Sequence, residues 1–144
     1  SSAPQIRYPD CYGIDMAKMG DLVAFRAAIA LLKETKQENI IDDVYDRALA
    51  QVGLPFAEQR NVVKAIYSPF TAMQISDKIA ELLTPEGIGA EVRVVYQSIE
   101  GLRAACPNHT GDWYFTGDYP TPGGNRVVNR AFINYREGRN VRAY

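Results

Sequence analysis

The chain has 144 residues, enough for one domain that buries roughly two-thirds of the surface its unfolded form exposes. Hydrophobic residues make up 47% and charged residues 23%, a balance typical of folded proteins and not of disordered segments. The net charge is −1 and the pI is about 5.8, so no overall positive field attracts the chain to nucleic acid or to an anionic membrane surface.

Signals that direct a protein to a membrane or out of the cell are not visible in the sequence. No charged-then-apolar leader opens it, and no apolar run is long enough to span a bilayer. The two cysteines, Cys11 and Cys106, are too few to mark a disulfide-rich secreted domain. These features predict a cytoplasmic protein, and a start at Ser-Ser-Ala-Pro without methionine suggests a piece of a longer chain.

The first half of the chain predicts three helices after an extended start. Pro4 and Pro9 exclude a helix from the first sixteen residues. Helices are expected over residues 20–36, 37–52 and 56–67. The first of these is apolar almost all the way round, which predicts burial on more than one side or a surface that meets a partner.

A fourth helix, a strand and a short fifth helix are expected next. Thr71 with Gln74 has the spacing of a capping box, which predicts a helix to about residue 83. Residues 91–96 alternate apolar and polar side chains, the pattern of a strand. Ser98 is predicted to cap a short helix that runs through Leu102.

Residues 113–125 combine three consecutive aromatic side chains, two prolines and a glycine pair. The prolines fix their own φ, and Gly123 and Gly124 are expected to turn the chain sharply. Asn125 is predicted to cap a last helix, which Gly138 should end. The segment is therefore expected to be a rigid aromatic loop that leads into a helix.

Two arginines, Arg126 and Arg130, lie one turn apart beside this predicted helix start. Free N–H groups at a helix start together with nearby arginines form a candidate anion site. A well-capped surface helix with solvated arginines accounts for the same residues and is the simpler interpretation.

The side chains show no complete catalytic or metal-binding set. An apolar run followed by Asp42 and Asp43 is similar to a phosphoribosylpyrophosphate (PRPP) motif, but bulky residues follow where a phosphate cradle needs small ones. Both acids are therefore predicted to lie at the start of a helix. His109, the only histidine, fits no zinc spacing with Cys11 and Cys106.

Three stretches in order resemble the carboxyl-terminal part of the glutamine PRPP amidotransferase (amidophosphoribosyltransferase) family. Residues 6–16 contain the Pro-x-x-Tyr-Gly-Ile-Asp pattern that ends the family's phosphoribosyltransferase domain, and Ser2 to Gln5 suits the strand end before it. Residues 115–121 read Phe-Thr-Gly-Asp-Tyr-Pro-Thr and resemble the family's Phe-Thr-Gly-x-Tyr-Pro-Thr. Residues 94–102 resemble its strand-then-helix element.

The predicted fold is α+β and mainly α, with five or six helices and one or two short strands in a single domain. The resemblance implies that it completes the end of a phosphoribosyltransferase-type domain. Residues 1–19 would end that core, 20–70 would be a helical insertion, and 71–144 would form the carboxyl-terminal region of helices, strand and aromatic loop.

The resemblance implies a parent enzyme that makes 5-phosphoribosylamine from PRPP and glutamine in purine biosynthesis. The parent would bind Mg-PRPP and would be a homo-oligomer, with no nucleic-acid or membrane partner. This chain has neither the amino-terminal cysteine nucleophile of the glutaminase domain nor a full PRPP motif. It is therefore expected to contain no catalytic residue, to be inactive alone, and to have the remainder of the parent chain as its partner.

Supporting roles for five residues also follow from the resemblance. Tyr12, Gly13 and Asp15 would lie near the PRPP site, just beyond the carboxyl ends of the strands. Arg126 and Arg130 would lie on the helix that meets the glutaminase domain, so interface packing is expected of them rather than catalysis.

An iron–sulfur cluster is not expected. Some family members hold one through cysteines at positions that correspond here to Asp10, Asn108 and Gly111. Clusters of this kind require thiolate ligands, and these three residues provide none.

A stand-alone helical module that binds a protein or a nucleotide through its arginine-rich end is the alternative interpretation. An excised piece of an enzyme would expose its former interface and self-associate. A stand-alone module would instead be a monomer that binds its ligand tightly.

Overall fold

A computed structural model describes residues 3–9, 18–108 and 110–144. Within them the chain is mainly helical, as predicted, and contains no strand. The α-helices are α1 (Val23–Glu34), α2 (Asn39–Gln51), α3 (Lys64–Tyr67), α4 (Ala72–Leu83), α5 (Ile99–Ala105), α6 (Trp113–Thr116) and α7 (Pro122–Arg136). Short 3-10 helices occur at Met19–Asp21 and Phe56–Glu58.

Helix α1 lies at the centre of the hydrophobic core. It packs against α3 and α4, while α2 packs against α3 and α7. Phe25 of α1 is fully buried and makes edge-to-face ring contacts with Phe132 and Tyr135 of α7, at centroid distances of 6.0 and 4.8 Å. The near-complete apolar surface of α1 is therefore explained by neighbours within the chain.

One core includes residues from both ends of the sequence, from Tyr8 to Ile133. The helices of the predicted insertion, residues 20–70, share that core with α4 and α7. The assignment of residues 1–19, 20–70 and 71–144 to parts of a larger domain stays a prediction. None of the helices in the described residues has the length and apolar character needed to cross a membrane.

The caps predicted for α4 and α5 are confirmed. The Thr71 hydroxyl accepts a hydrogen bond from the Gln74 N–H (3.1 Å), and the Gln74 side chain accepts one from the Thr71 N–H (2.8 Å). The Ser98 hydroxyl accepts the Gly101 N–H at 2.9 Å. Each bond satisfies a donor that would otherwise lack a partner in the first helical turn.

The helix predicted over residues 56–67 is wrong as a single element. It is divided into the 3-10 helix Phe56–Glu58 and α3, and Gln59 between them is extended. The buried Gln59 side chain donates to the carbonyl oxygens of Gln51 (2.5 Å) and Leu54 (3.1 Å). Gln59 has an extended backbone, and its side chain makes these hydrogen bonds in place of helical backbone bonds. The helix that begins at Phe56 therefore ends before Gln59.

The strand predicted over residues 91–96 is not formed in the described residues. The segment has no helix or strand assignment, and next to it the Gln97 N–H donates to the carbonyl of Ala3 at 3.3 Å. An alternating pattern gives a segment two faces, but a strand also needs a neighbour with which to form a ladder.

The start of the last helix also differs from the prediction. Helix α7 begins at Pro122, and Asn125 lies inside it, where its side chain donates to the Gln59 carbonyl at 3.0 Å. Proline is well suited to the first helical position because it has no N–H to satisfy there. Gly124 lies in the first turn because the Tyr119 ring occupies the space of a Cβ, not because the chain turns sharply. Gly138 (φ +68°) ends the helix as predicted.

Candidate functional site

The first described segment meets the segment before α7 in what we call the terminal junction, formed by residues 3–9 and 113–121. The backbone N–H groups of Arg7 and Tyr8 both donate to the Tyr114 carbonyl, at 2.9 and 3.3 Å. At the last residue of the first segment, the Tyr119 hydroxyl donates to the Pro9 carbonyl at 2.7 Å. The end of the first segment, residues 7–9, is thus held by residues more than 100 positions away.

Gly117 is the point of closest approach in the terminal junction. Its φ is +74°, the left-handed conformation that glycine adopts without strain. A Cβ there would lie 2.6 Å from the Tyr8 ring and 2.7 Å from the Asn61 amide nitrogen. The Asn61 amide donates to the Gly117 carbonyl at 3.0 Å, so α6 and the turn after it are attached to the residues before α3.

Two buried tyrosines lie beneath this contact. The rings of Tyr8 and Tyr67 pack edge to face with centroids 5.4 Å apart, and the Tyr67 hydroxyl donates to the Arg7 carbonyl at 2.5 Å. Burial raises the pKa of both hydroxyls above the ordinary value of 10.0. Both therefore stay neutral near pH 7, where they act as structural groups and not as proton-transfer groups.

A groove of about 480 Å³ opens beside the junction, and we call it the Arg7 groove. One wall is the first turns of α4, and the other is the segment 93–98, which is neither helix nor strand. Gln5, Arg7 and Phe115 of the terminal junction complete its lining. This volume is in the range of small-molecule sites.

The Arg7 side chain is fixed by a chain of hydrogen bonds. Its Nε and Nη2 donate to the Gln5 Oε1, at 3.1 and 2.7 Å. Gln5 is itself buried, and its Nε2 donates to the Ala72 carbonyl (2.7 Å) and the Ser76 hydroxyl (2.8 Å) of α4. The guanidinium carbon also lies 5.3 Å from the centroid of the Tyr67 ring, within cation–π distance.

The predicted site residues are described only in part. Tyr12, Gly13 and Asp15 lie outside the described residues. Arg126 is exposed, and its guanidinium carbon lies 5.2 Å from the centroid of the Phe56 ring. Arg130 is half-buried, and both arginines line a small cavity of about 30 Å³ between α7 and the carboxyl end of α2.

A larger hollow lies at the start of α7. It has a volume of about 370 Å³ and is lined by Arg126, Phe56, Thr121 and Tyr144, among others. Arg126 therefore borders both the helix start and the α2–α7 contact, whereas Arg130 lines only the second. The structure does not bring the two arginines together at one pocket beside the helix start.

Among the described residues, the remaining candidate side chains either form ion pairs within the fold or lack the further ligands that a metal site needs. Asp42 lies in the first turn of α2, as predicted, and forms an ion pair with Arg136. Asp43 follows it and pairs with Arg47 at 3.4 Å. Cys106 is a free, exposed thiol. In residues 3–9, 18–108 and 110–144 no three His, Cys, Asp or Glu side chains are grouped as a metal site would require, and the predicted positions Cys11, His109 and Asp10 fall outside these ranges.

The Arg7 groove was missed by the sequence interpretation, although one local signal was available. Gln5 and Arg7 are two residues apart in a segment predicted to be extended, so their side chains share a face. Two long polar side chains on one face can bond to each other, as Arg7 and Gln5 do. Nothing local indicates that α4 supplies the acceptors, because Ala72 and Ser76 are 67 and 71 residues away from Gln5.

Comparison of the chain with protein-family models, with curated protein sequences and with solved structures gave no match.

Proposed function

We propose that this chain is the carboxyl-terminal part of an amidophosphoribosyltransferase, the enzyme that makes 5-phosphoribosylamine from PRPP and glutamine. One observation carries the proposal: the three stretches that resemble the family are neighbours in space. Gln97 of residues 94–102 bonds to Ala3, three residues before the first stretch, and Tyr119 of residues 115–121 reaches that stretch through Pro9. These contacts support the proposal, because stretches that belong to one family segment are expected to pack together.

The residues that carry the resemblance also have defined packing roles. Gly117 and Tyr119 belong to the Phe-Thr-Gly-Asp-Tyr-Pro-Thr stretch, and both contact residues of the first stretch, Tyr8 and Pro9. The glycine is required by its positive φ and by the absence of space for a Cβ. Two residues of the resembling stretch, Gly117 and Tyr119, are therefore of a type that this fold uses.

In this proposal the chain supports the reaction without supplying a reacting group. Mg-PRPP and glutamine would bind to the remainder of the parent, in a cytoplasmic homo-oligomer. Tyr12, Gly13 and Asp15 follow Pro9 by three to six residues, and the bond from Tyr119 to Pro9 fixes the point from which that segment departs. The terminal junction would thus position a segment near the sugar phosphate, and Arg126 and Arg130 would pack against the glutaminase domain.

The test is to purify the native protein from its source cells with an antibody raised against this chain. We expect a polypeptide several times heavier than 16.0 kDa that consumes PRPP and releases pyrophosphate only when glutamine or ammonia is supplied. The recombinant 144-residue chain is the control and should release none. A native polypeptide of 16.0 kDa, or a heavier one without this activity, would refute the proposal.

A stand-alone binding module is the second candidate, and one observation favours it. Phe56 is 57% exposed and stacks with the exposed Arg126 beside the hollow at the start of α7, an arrangement able to receive a flat anionic ligand such as a nucleotide. A native mass of 16.0 kDa together with saturable nucleotide binding, lost in Arg126→Ala, would establish this candidate instead of the first.

A further inference from the structure

Arg7 is a half-buried cation that no carboxylate neutralises among the described residues. Arginine carries five N–H donors, and Gln5 accepts two of them. The ion pairs of the described residues all involve other basic side chains. The other three donors have no carboxylate partner among the described residues, and Arg7 is one of the residues that line the groove.

This guanidinium group is held in place before any ligand arrives. Gln5 is only 4% exposed and is bonded to α4 on its other side, so its Oε1 is a fixed acceptor for Arg7. The Tyr67 ring supports the guanidinium face at 5.3 Å. A ligand that binds an arginine already ordered in this way does not have to immobilise a long side chain, so more of its interaction energy appears as affinity.

The side chains that line the Arg7 groove indicate that its ligand has an apolar part. Phe70, Met73, Tyr96 and Phe115 provide apolar and aromatic surface, and Met73 is 73% exposed. An anion without an apolar part would leave this surface in water. A ligand with an apolar body would cover it and would gain roughly 25 cal/mol for each Å² removed from water.

Other charges at the groove limit what it can bind. Besides Arg7, its lining contains one cation, Arg93, and two carboxylates, Asp77 and Glu100, so the formal charges cancel. A general positive field therefore does not attract anions there. Recognition has to come from the planar guanidinium group, which matches the paired oxygens of a carboxylate or phosphate.

We propose that the Arg7 groove binds a small molecule that joins an oxyanion, carboxylate or phosphate, to an apolar body. The oxyanion accepts hydrogen bonds from Arg7, and the body lies against Met73 and the aromatic side chains. This inference does not depend on the proposed enzyme, because it concerns residues of this chain alone and is tested without PRPP or glutamine.

Calorimetric titration of the 144-residue chain with three probes of similar size tests the site. The probes are benzoate, phenyl phosphate and the neutral benzyl alcohol. We expect saturable binding of at least one anion, and the tighter of the two identifies carboxylate or phosphate as the preferred group. Absence of saturable binding by both anions, or equally tight binding of benzyl alcohol, would overturn the proposal.

Variants then locate the bound probe. Arg7→Met should weaken anion binding by about tenfold or more, since it removes charge-assisted hydrogen bonds. That change also leaves the buried Gln5 oxygen without its two donors. The fold of the variant is therefore checked by comparing its backbone amide NMR spectrum with that of the original chain.

Met73→Glu provides the decisive comparison, because it leaves Arg7 and Gln5 intact and places a negative charge on the groove wall. We expect about fivefold weaker binding from the added repulsion. Leu83→Glu is the matched control, since Leu83 is 54% exposed on the same helix and does not line the groove. Unchanged affinity in Met73→Glu, or equal losses in the two variants, would place the binding elsewhere and refute the proposal.

Discussion

The helical core and the terminal junction are stabilised in different ways. In the core, α1, α2, α4 and α7 bury apolar side chains, and many combinations of similar side chains would satisfy that requirement. In the terminal junction, individual hydrogen bonds and one glycine determine how residues 3–9 and 113–121 meet. The difference shows that the core depends on pattern, whereas the junction depends on particular residues.

The largest expected loss of stability comes from the core. Phe25→Ala removes a fully buried ring that contacts Phe132 and Tyr135, and should lower the free energy of unfolding by about 3–5 kcal/mol. Chemical denaturation measures the change, and Phe25→Leu, which keeps most of the volume, should lose clearly less. Equal losses in the two variants would show that ring packing is not the cause.

In the terminal junction, adding a single methyl group should also lower the free energy of unfolding. Gly117→Ala combines a positive φ with a Cβ that would lie 2.6 Å from Tyr8, and we expect a loss of about 2–3 kcal/mol. Gly138→Ala is the matched control, because Gly138 also has a positive φ but no atom within 4 Å of its Cβ position, and about 1 kcal/mol is expected there. If the two losses are the same, the close packing has no energetic consequence.

Alkaline pH should act on the junction through Tyr8 and Tyr67. Their pKa values are raised in the folded state, so the unfolded chain loses these protons first, and stability is complete below pH 10 and declines as the pH rises above it. Each tyrosine should reduce the free energy of unfolding by about 1.4 kcal/mol per pH unit in that interval. Denaturation curves between pH 8 and 11 measure this slope, and Tyr67→Phe should have a shallower one. A slope that is identical in Tyr67→Phe would exclude Tyr67 as its source.

The smallest expected loss of stability comes from removing the cap at the start of α4. Thr71→Ala removes the hydroxyl that accepts the Gln74 N–H at the start of α4, and should cost about 1 kcal/mol. Thr71→Ser keeps the acceptor and should be close to the original chain in thermal unfolding. A loss in Thr71→Ser as large as in Thr71→Ala would mean that the methyl group, not the cap, stabilises this turn.

Features encoded by neighbouring residues could be predicted from the sequence. The apolar periodicity of α1, α2 and α4 and the caps at Thr71 and Ser98 need only a few adjacent positions, so the helices lie within a few residues of their expected bounds. The predicted helix bounds were wrong where side chains from distant parts of the sequence bond to the backbone. Asn129 of α7 accepts the Val62 N–H at 3.3 Å and donates to the Arg60 carbonyl at 2.8 Å, and no local pattern reveals that the residues before α3 have these partners.

The candidate site was less predictable than the fold for the same reason. Arg126 and Arg130 were identified from their spacing on one helix, but their surroundings, Phe56 and the end of α2, come from another part of the chain. The Arg7 groove combines three segments, and only the spacing of Gln5 and Arg7 is visible locally. The start of α7 differed from the prediction because the need for glycine at position 124 comes from the Tyr119 ring, a tertiary contact.

The hydrogen bond between Tyr119 and Pro9 has a consequence for the order in which the protein is built. Its two residues are 110 positions apart, so Pro9 leaves the ribosome long before its partner exists. At synthesis rates of 5–20 residues per second, the first segment waits roughly 6–20 s for residues 113–121. Helices α1 to α4 have been synthesised by then. During that interval Gln5 can already bond to α4, and the Arg7 carbonyl can bond to Tyr67. Pro9 is held only once Tyr119 exists, so the end of the first segment reaches its final position after the beginning of that segment.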